Sequence, residues 1–404
     1  MWRKIKNIYH LVEGLITNLI YNFPSRKINV IGVTGTDGKT TTTHLIYHIL
    51  KENHYPVSMI STVEAEIVNK KYDTGLHVTT PSSFMIQKSL SQAVKNKQKY
   101  FVLETTSHAL DQNRVFGVKY LIAIITNITH EHLDYHRNFD EYIKTKTKLL
   151  NQSNIAVVNN HDPVFQKIKK YIINKNLKII DYYKNREKIK IKSLPRSFLD
   201  NYMAAYTVGR LLDIPHQKII EAMKTFQLPP GRLEVVFNKK FKVIIDFAHT
   251  PNAFQTILPF AKERFLKNDG RLIHVFGCPG LRDRLKRPKM GEISSRYANL
   301  IIITEDDYRT ENIDIICQQI IAGIDKKKFN FKTPEKIKDN ENHIFTVITN
   351  RYQAIKFAIK LAKDNDVILL TGKGHEKSLA RGKREYPWDE KKAVFKILKE
   401  LKYI

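Results

Sequence analysis

The stretch VIGVTGTDGKTTT at residues 30–42 crowds glycines, a lysine and hydroxyl groups into one short segment. A tight glycine turn aims backbone N–H groups, together with the positive end of the helix that follows, at a phosphate. Lys39 would neutralise the terminal phosphates, and Thr40 could offer its hydroxyl to Mg²⁺. The common phosphate-loop spelling wants glycine five residues before the Gly-Lys pair. Here that position is Val33, and glycines fall at Gly32 and Gly35 instead. On spacing alone, the segment is a nucleotide loop of another kind or a plain turn before a helix.

Other segments carry chemistry less specifically. Glu104 closes the apolar run YFVLE and could present a carboxylate to a metal ion. TNITHEHLDYH, residues 126–136, gathers His130, Glu131, His132, Asp134 and His136. Imidazole and carboxylate suit zinc or iron, and a polar loop with solvated histidines is the plainer alternative. YIKTKTKLL holds Lys144, Lys146 and Lys148, which by themselves read as a solvated helix face.

These residues need a scaffold, and the pattern of runs supplies one. INVIGV, YFVLET, LIAIIT and IAVVN read as strands, with helices starting near Lys39, Ser82, Asp140 and Asp162. Two further helical runs, about 197–213 and 215–226, precede the turn LPPGR. Beyond it the alternation resumes with KVIIDF, RLIHVFG, NLIIIT, IFTVIT and DVILLTG. Strands alternating with helices indicate an α/β fold with mostly parallel sheets. The expected organisation is an N-terminal amphipathic helix (1–27), a central P-loop-like ATP-binding domain (28–228) and a smaller Rossmann-like α/β domain (229–404).

The chain has 404 residues, too many for one ordinary core. It contains no run of eighteen apolar residues, so no membrane span is expected. Cys278 and Cys317 are too few for a disulfide framework or a zinc ribbon, which points to a reducing cytoplasm. The formal charge of +28 favours anionic partners without choosing among them. Its lysines are scattered from Lys4 to Lys402 and read mainly as solvated faces. In residues 1–23, Trp2, Ile5, Tyr9, Val12, Ile16, Leu19 and Phe23 fall on one helical face, with Arg3, Lys4, Lys6 and Asn7 opposite. That helix is read as packed on its own domain, with peripheral membrane contact as the alternative.

Taken in order, the motifs resemble those of the Mur ligases, which join amino acids to peptidoglycan precursors. GVTGTDGKTTT is similar to their ATP loop, whose glycines share this shorter spacing. The resemblance covers about residues 28–390 and is strongest to the member that adds the third residue of the stem peptide. It implies ATP contacts from Gly35, Thr36, Asp37, Gly38, Lys39, Thr40 and Thr41, and from Arg232, His249 and Asn252 in LPPGRLEV and DFAHTPNA. It implies two Mg²⁺ ions held through Thr40, Glu104, His132 and a carbamate formed on Lys146 by CO₂. Catalysis would then rest on Lys39, Glu104, His132 and Lys146. Thr79, Thr80, Thr106, Gln112 and Arg114 match contacts to the nucleotide-sugar peptide. For the incoming amino acid, Arg282 matches a carboxylate grip, and Gly372 and Glu376 match partners of the distal ammonium.

The reaction so implied is ATP-dependent amide formation through an acyl phosphate, by a monomer acting on small molecules and not on nucleic acid. Members that add meso-diaminopimelate read Asp-Asn-Pro-Arg where this chain reads Asp306-Asp307-Tyr308-Arg309. Arg309 suits a second carboxylate, whereas the anion of Asp307 suits the ammonium of lysine. A bidentate arginine is expected to outweigh an aspartate free to point to solvent, so diaminopimelate is favoured. Tyr308 also removes a fixed-φ proline, which leaves room for a different loop path. Two rivals share parts of this pattern. A folate polyglutamate ligase has the same chemistry and body without nucleotide-sugar contacts, and a nucleic-acid-binding ATPase would use the positive charge; within the family, a ligase acting on a lipid-linked muramoyl peptide is a further alternative. A third departure is that such members carry an N-terminal uridine-binding domain, where only 27 residues here precede the first strand.

Overall fold

The apolar runs form buried strands, and parallel pairing sets where their ends lie. The computed structural model describes residues 2–72, 80–129, 135–189, 196–267, 269–339 and 341–404, with the backbone alone for residues 2–4, 196 and 197. The chain divides into two units, residues 1–229 and 230–404.

Among the described residues, the first unit holds strands β1 (Asn29–Thr34), β2 (Val57–Ile60), β3 (Ala65–Ile67), β4 (Lys70–Tyr72), β5 (Tyr100–Glu104), β6 (Tyr120–Ile125), β7 (Ser153–Val158) and β8 (Lys178–Asp181). They pair in the order β4-β3-β2-β5-β1-β6-β7-β8, antiparallel only at β2–β3 and β3–β4. Its helices are α1 (Trp2–Ile20), α2 (Lys39–Glu52), α3 (Ser83–Lys95), α4 (Ser107–Asp111), α5 (Phe139–Asn151), α6 (Phe165–Lys170), α7 (Arg196–Leu211) and α8 (His216–Thr225). Successive β1 residues point to opposite faces. Ile31 and Val33 join a core with Leu45 of α2, Met203 of α7 and Ile219 of α8. Val30 joins the other core, with Ile86 of α3 and Ile143 of α5.

The second unit carries β9 (Glu234–Asn238), β10 (Lys242–Asp246), β11 (Leu272–Phe276), β12 (Leu300–Ile303), β13 (Asn330–Phe331), β14 (Ile344–Val347) and β15 (Val367–Thr371). Their order is β13-β14-β12-β11-β15-β10-β9, with β9–β10 the antiparallel pair. A separate hairpin follows, β16 (Ser378–Arg381) and β17 (Arg384–Pro387). The helices are α9 (Pro251–Phe265), α10 (Lys286–Tyr297), α11 (Ile313–Ile321), α12 (Arg351–Leu361) and α13 (Glu390–Glu400).

Helix α1 packs on its own unit, but through the side opposite its apolar stripe. Gly14 lets the helix approach Phe116 so closely that an added Cβ would lie 3.1 Å from the Phe116 Cβ. Buried Asn18 donates to the Gly14 and Phe116 carbonyls at 2.7 and 2.8 Å, and Asn7 donates to the Asp111 carbonyl at 2.9 Å. These amides satisfy carbonyls that a leucine in their place would leave bare. Ile5, Ile8, Tyr9, Val12, Leu15, Ile16, Leu19 and Ile20 consequently face outward.

His274 of β11 is fully buried, with its ring nitrogens 2.8 Å from the Ser294 Oγ and 3.0 Å from the Thr371 Oγ1. Burial, aided by the charge of Arg351, pushes its pKa down from 6.5 to about 3. A base whose folded pKa is depressed lends stability that is complete above its unfolded pKa and is lost as pH falls below it. Between pH 6.5 and about pH 5 the loss expected from this group is about 2 kcal/mol. Urea unfolding followed across that range should show the decline, and His274→Asn should flatten it.

Candidate active site

After β1 the chain turns at Gly35 and Gly38 and enters α2 at Lys39. Both glycines are required. Gly35 has φ of +154°, and a Cβ on it would lie 1.8 Å from the Thr126 Oγ1. Gly38 has φ of +80°, and a Cβ there would lie 2.2 Å from the Asn201 Oδ1. The loop is fastened to the segment after β6: the Thr36 and Asp37 amides donate to the Asn127 carbonyl and Oδ1, at 2.8 and 2.9 Å. Thr126 Oγ1 donates to the Asp37 carbonyl at 2.6 Å. Lys39 curls back so that its Nζ is 2.7 Å from the Thr36 carbonyl. Thr41 is buried in the first turn of the helix.

Glu104, at the end of β5, is fully buried beside this loop. Its carboxylate accepts from the Thr40 hydroxyl at 3.0 Å, the Thr62 hydroxyl at 2.7 Å and the Thr62 amide at 2.8 Å. All these partners are neutral. A buried carboxylate given no counter-charge by its partners is a donor set that suits a hard divalent cation, with the Thr40 hydroxyl as a second oxygen. Mg²⁺ therefore fits these residues.

The three lysines of α5 part company, as residues two apart on a helix must. Lys144 is exposed, while Lys146 is 1% exposed. The Lys146 Nζ donates to the Gly35 carbonyl at 2.5 Å and lies 4.6 Å from the Tyr142 ring centre. Tyr142 in turn has its hydroxyl 3.1 Å from the Thr36 Oγ1. Lys146 thus belongs to the phosphate loop and not to a solvated face.

The acceptor-type residues gather around Thr80. Its hydroxyl accepts from the Thr106 amide at 3.0 Å, and its carbonyl accepts from Arg114. Burial lowers the pKa of Arg114. Gln112 donates to the Tyr135 hydroxyl at 3.2 Å, which donates to Asp111 at 2.8 Å. Thr79 and His132 lie outside the described residues.

In the second unit the turn before β9 and the loops after β10, β11, β12 and β15 hold the remaining residues. The Arg232 guanidinium lies 4.7 Å from the Phe247 ring centre, and Nδ1 of His249 is 2.9 Å from the Phe247 carbonyl. Thr250 caps α9 through the Ala253 amide, with Asn252 half-buried in the first turn. Arg282 is exposed on a loop anchored by buried Arg287, which grips Glu311 through two bonds of 2.8 and 2.9 Å.

Asp306, Asp307 and Glu376 converge closely enough to hold a cation. The cation among them is the ammonium of buried Lys373, 2.8 Å from Asp307, 2.5 Å from Glu376 and 3.8 Å from Asp306. Burial disfavours that ammonium, but the three carboxylates outweigh it and raise the Lys373 pKa. The expectation of a solvent-directed Asp307 is therefore corrected. Its carboxylate is buried, bonded to Lys373 and to the Ala380 amide at 2.9 Å. Gly372, at φ of +106°, would bring a Cβ within 2.9 Å of Asp306. Arg309, 27% exposed, donates to the Gly280 carbonyl at 2.9 Å.

Comparison with known proteins settles the lineage. Residues 33–215 match the Mur ligase middle domain, and residues 231–374 match the Mur ligase, glutamate ligase domain. The UDP-N-acetylmuramoyl-L-alanyl-D-glutamate--2,6-diaminopimelate ligase of Clostridium botulinum is 34% identical, over 96% of this chain and 81% of its own length. The chain belongs to the Mur ligase family. A counterpart from Clostridium acetobutylicum is 36% identical over 94% of this chain and 80% of its own. A solved diaminopimelate ligase of this kind superposes with a TM-score of 0.59 at 25% identity, over 93% of this chain and 79% of that one. Mycobacterium tuberculosis folylpolyglutamate synthase gives 0.67 at 14% identity over 90% and 91%, a likeness of fold alone. As a Mur ligase, the protein is an ATP-dependent amide-forming enzyme.

Several residues of the site carry no signal in the sequence. Thr62 and Asn127 are ordinary loop residues until the sheet brings them to Glu104 and the phosphate loop. Asn201 is one amide in the small-and-apolar stretch NYMAAY, and Lys373 lies unassigned inside TGKGHE. The Gly35 geometry gives a direct test. Gly35→Ala should weaken ATP binding by more than tenfold in a calorimetric titration while the far-ultraviolet circular dichroism stays unchanged.

Proposed function

We propose that this Mur ligase adds meso-diaminopimelate to UDP-N-acetylmuramoyl-L-alanyl-D-glutamate, as the names of its relatives state for those proteins. The observation that carries the choice of amino acid is the compensation of Asp307. Lys373 and Arg309 set positive charge against Asp306, Asp307 and Glu376, and Arg282 is exposed on the loop that the Gly280 amide ties to the Asp307 carbonyl. Such a balanced site suits a zwitterion with two carboxylates and two ammonium groups better than lysine, which carries a net positive charge. The Arg309 guanidinium lies 3.8 Å from the inward Asp307 carboxylate and stays 27% exposed, and its outer edge would pair with the distal carboxylate of diaminopimelate.

The acceptor carboxylate attacks the γ-phosphorus of ATP, forming an acyl phosphate and releasing ADP. The amine of the incoming residue then attacks the acyl carbon, expelling phosphate and losing a proton as the amide forms. A triphosphate and a carboxylate repel each other, so fixed positive charge and aimed N–H groups must stabilise the approach. The turn into α2 at Gly38–Thr41 supplies the N–H groups, Lys39 the ammonium, and Thr80, Thr106, Gln112 and Arg114 orient the acceptor. Arg232, His249 and Asn252 hold the nucleotide from their own unit. Thr40 and Glu104 would hold one Mg²⁺; His132, and Lys146 once CO₂ has converted its amine to a carbamate, would hold a second. The bound ions would neutralise phosphate oxygens. The enzyme works as a cytoplasmic monomer.

Two measurements test this reading. ATP turnover should require both the muramoyl dipeptide and the diamino acid, with diaminopimelate preferred over L-lysine at least tenfold in kcat/KM. Because its charge is already met by Lys373, Asp307→Asn should leave that preference in place. Turnover with folate and glutamate alone, or a lysine preference that vanishes in Asp307→Asn, would overturn it. Separately, Lys146→Ala should abolish turnover, and added short-chain carboxylates should partly restore it. Full activity in Lys146→Ala would remove the carbamate from the scheme.

A further inference from the structure

Among the described residues, the outward face of α1 has no partner, and it is an apolar surface of unusual composition. Ile8, Tyr9 and Leu19 are 61, 64 and 67% exposed, and Ile5, Val12, Leu15, Ile16 and Ile20 complete the stripe. It runs the length of a nineteen-residue helix, about 28 Å at 1.5 Å per residue. The patch continues beyond the helix. Exposed Phe84 and Met85 of α3 lie to one side, with Tyr21 5.8 Å from the Phe84 ring, and exposed Phe116 packs under Gly14. Such a contiguous apolar area marks an interaction surface.

Its charges narrow the partner. Glu13 is the helix's sole acidic residue, and it is turned toward the body, 3.0 Å from His10 and in reach of the Phe84 amide. The exposed side therefore presents apolar groups and Lys6 with no carboxylate. The whole chain carries a net charge of +28. A second copy would bring an equally positive body against this face, which opposes self-association. An anionic surface is attracted by the same field. An apolar stripe lying flush with a cationic body is the arrangement of an interfacial helix.

We propose that α1 docks the protein on an anionic lipid bilayer, with the stripe from Ile5 to Ile20 seated among the headgroups and upper acyl chains. Asn7 and Asn18 tie α1 to residues 111–118, so docking would hold Gln112 and Arg114 beside the lipid surface. That consequence, though not the docking itself, rests on the acceptor assignment above.

The full chain should co-sediment with vesicles containing phosphatidylglycerol and bind pure phosphatidylcholine vesicles at least tenfold more weakly, with binding reduced by added salt. Ile8→Ser/Leu15→Ser/Leu19→Ser should lose at least tenfold in vesicle affinity while keeping its ATP turnover in solution. The lipid and salt dependence of the unaltered protein tests the proposal even should that variant fold poorly. Failure to bind anionic vesicles, or equal affinity for both lipids, would overturn it. So would a dimer in sedimentation equilibrium that the triple variant dissociates, because a second copy would then own this face.

Discussion

Parallel pairing of buried strands is the constraint on which the rest depends. In the first unit, Val33 of β1 is level with Glu104 of β5, and Thr34 with Ile125 of β6. Three strands thus end on one edge, and their next residues are the phosphate loop, Thr105–Thr106 and Thr126–Asn127. The second unit repeats the device, with Asp246 level with Thr371 and Phe276 with Ile303. Ligands of open parallel sheets bind beyond the carboxyl ends of strands because the loops there share an edge and helix N-termini point at it. Backbone hydrogen bonds made far from any substrate therefore decide which side chains can meet.

The two units treat buried charge in opposite ways. Glu104 accepts from hydroxyls and an amide, and among the described residues none of its bonded partners brings a counter-charge. In the second unit, three carboxylates enclose a cation that the chain itself supplies. Removing Lys373 from such a buried cluster would leave carboxylates uncompensated and be strongly destabilising. The cluster also fixes the carboxylates in place, with the Arg309 guanidinium 3.8 Å from Asp307 on its outer side.

Much of this was legible in the residues. Long apolar runs such as NLIIIT and DVILLTG became strands, and the glycine loop entered a helix at Lys39. Eight of the described strands were passed over. The short runs of β2 (VSMI), β8 (KIID), β9 (EVVFN) and β13 (NF) went unread, and β3, β4, β16 and β17, reading AEI, KKY, SLAR and REYP, carry little apolar signal. The hydrogen bonds of these last four come from hairpin geometry, which side-chain periodicity does not report. Orientation was the harder quantity. Periodicity marked the stripe on α1 but gave no sign that Gly14 and Asn18 would draw the opposite side inward. Three lysines in KTKTK look equivalent until α5 is seated, after which Lys146 is buried and Lys144 is not. Likewise, Asp307 has the same composition whether it faces solvent or Lys373.

The loop at Tyr308 shows why a substitution at a recognisable motif need not dismantle it. Proline would fix φ there but lacks an amide hydrogen. Tyr308 has one, and it donates to the Asp306 carbonyl at 2.7 Å, closing the turn by a hydrogen bond instead of a ring. The next residue, Arg309, sits at φ of +52°, a left-handed conformation that a non-glycine residue seldom adopts. Holding it costs about 1 kcal/mol or more, and the hairpin provides the restraint. The Arg309 amide donates to the Ala380 carbonyl at 3.0 Å, and the Gly382 amide donates to the Arg309 carbonyl at 2.7 Å. Strand β16 is itself fastened to the cluster, since the Ala380 amide donates to Asp307. The arginine's backbone, the aspartate's direction and the lysine's burial are thus one arrangement, and the altered motif retains its guanidinium in a place where it can meet a carboxylate.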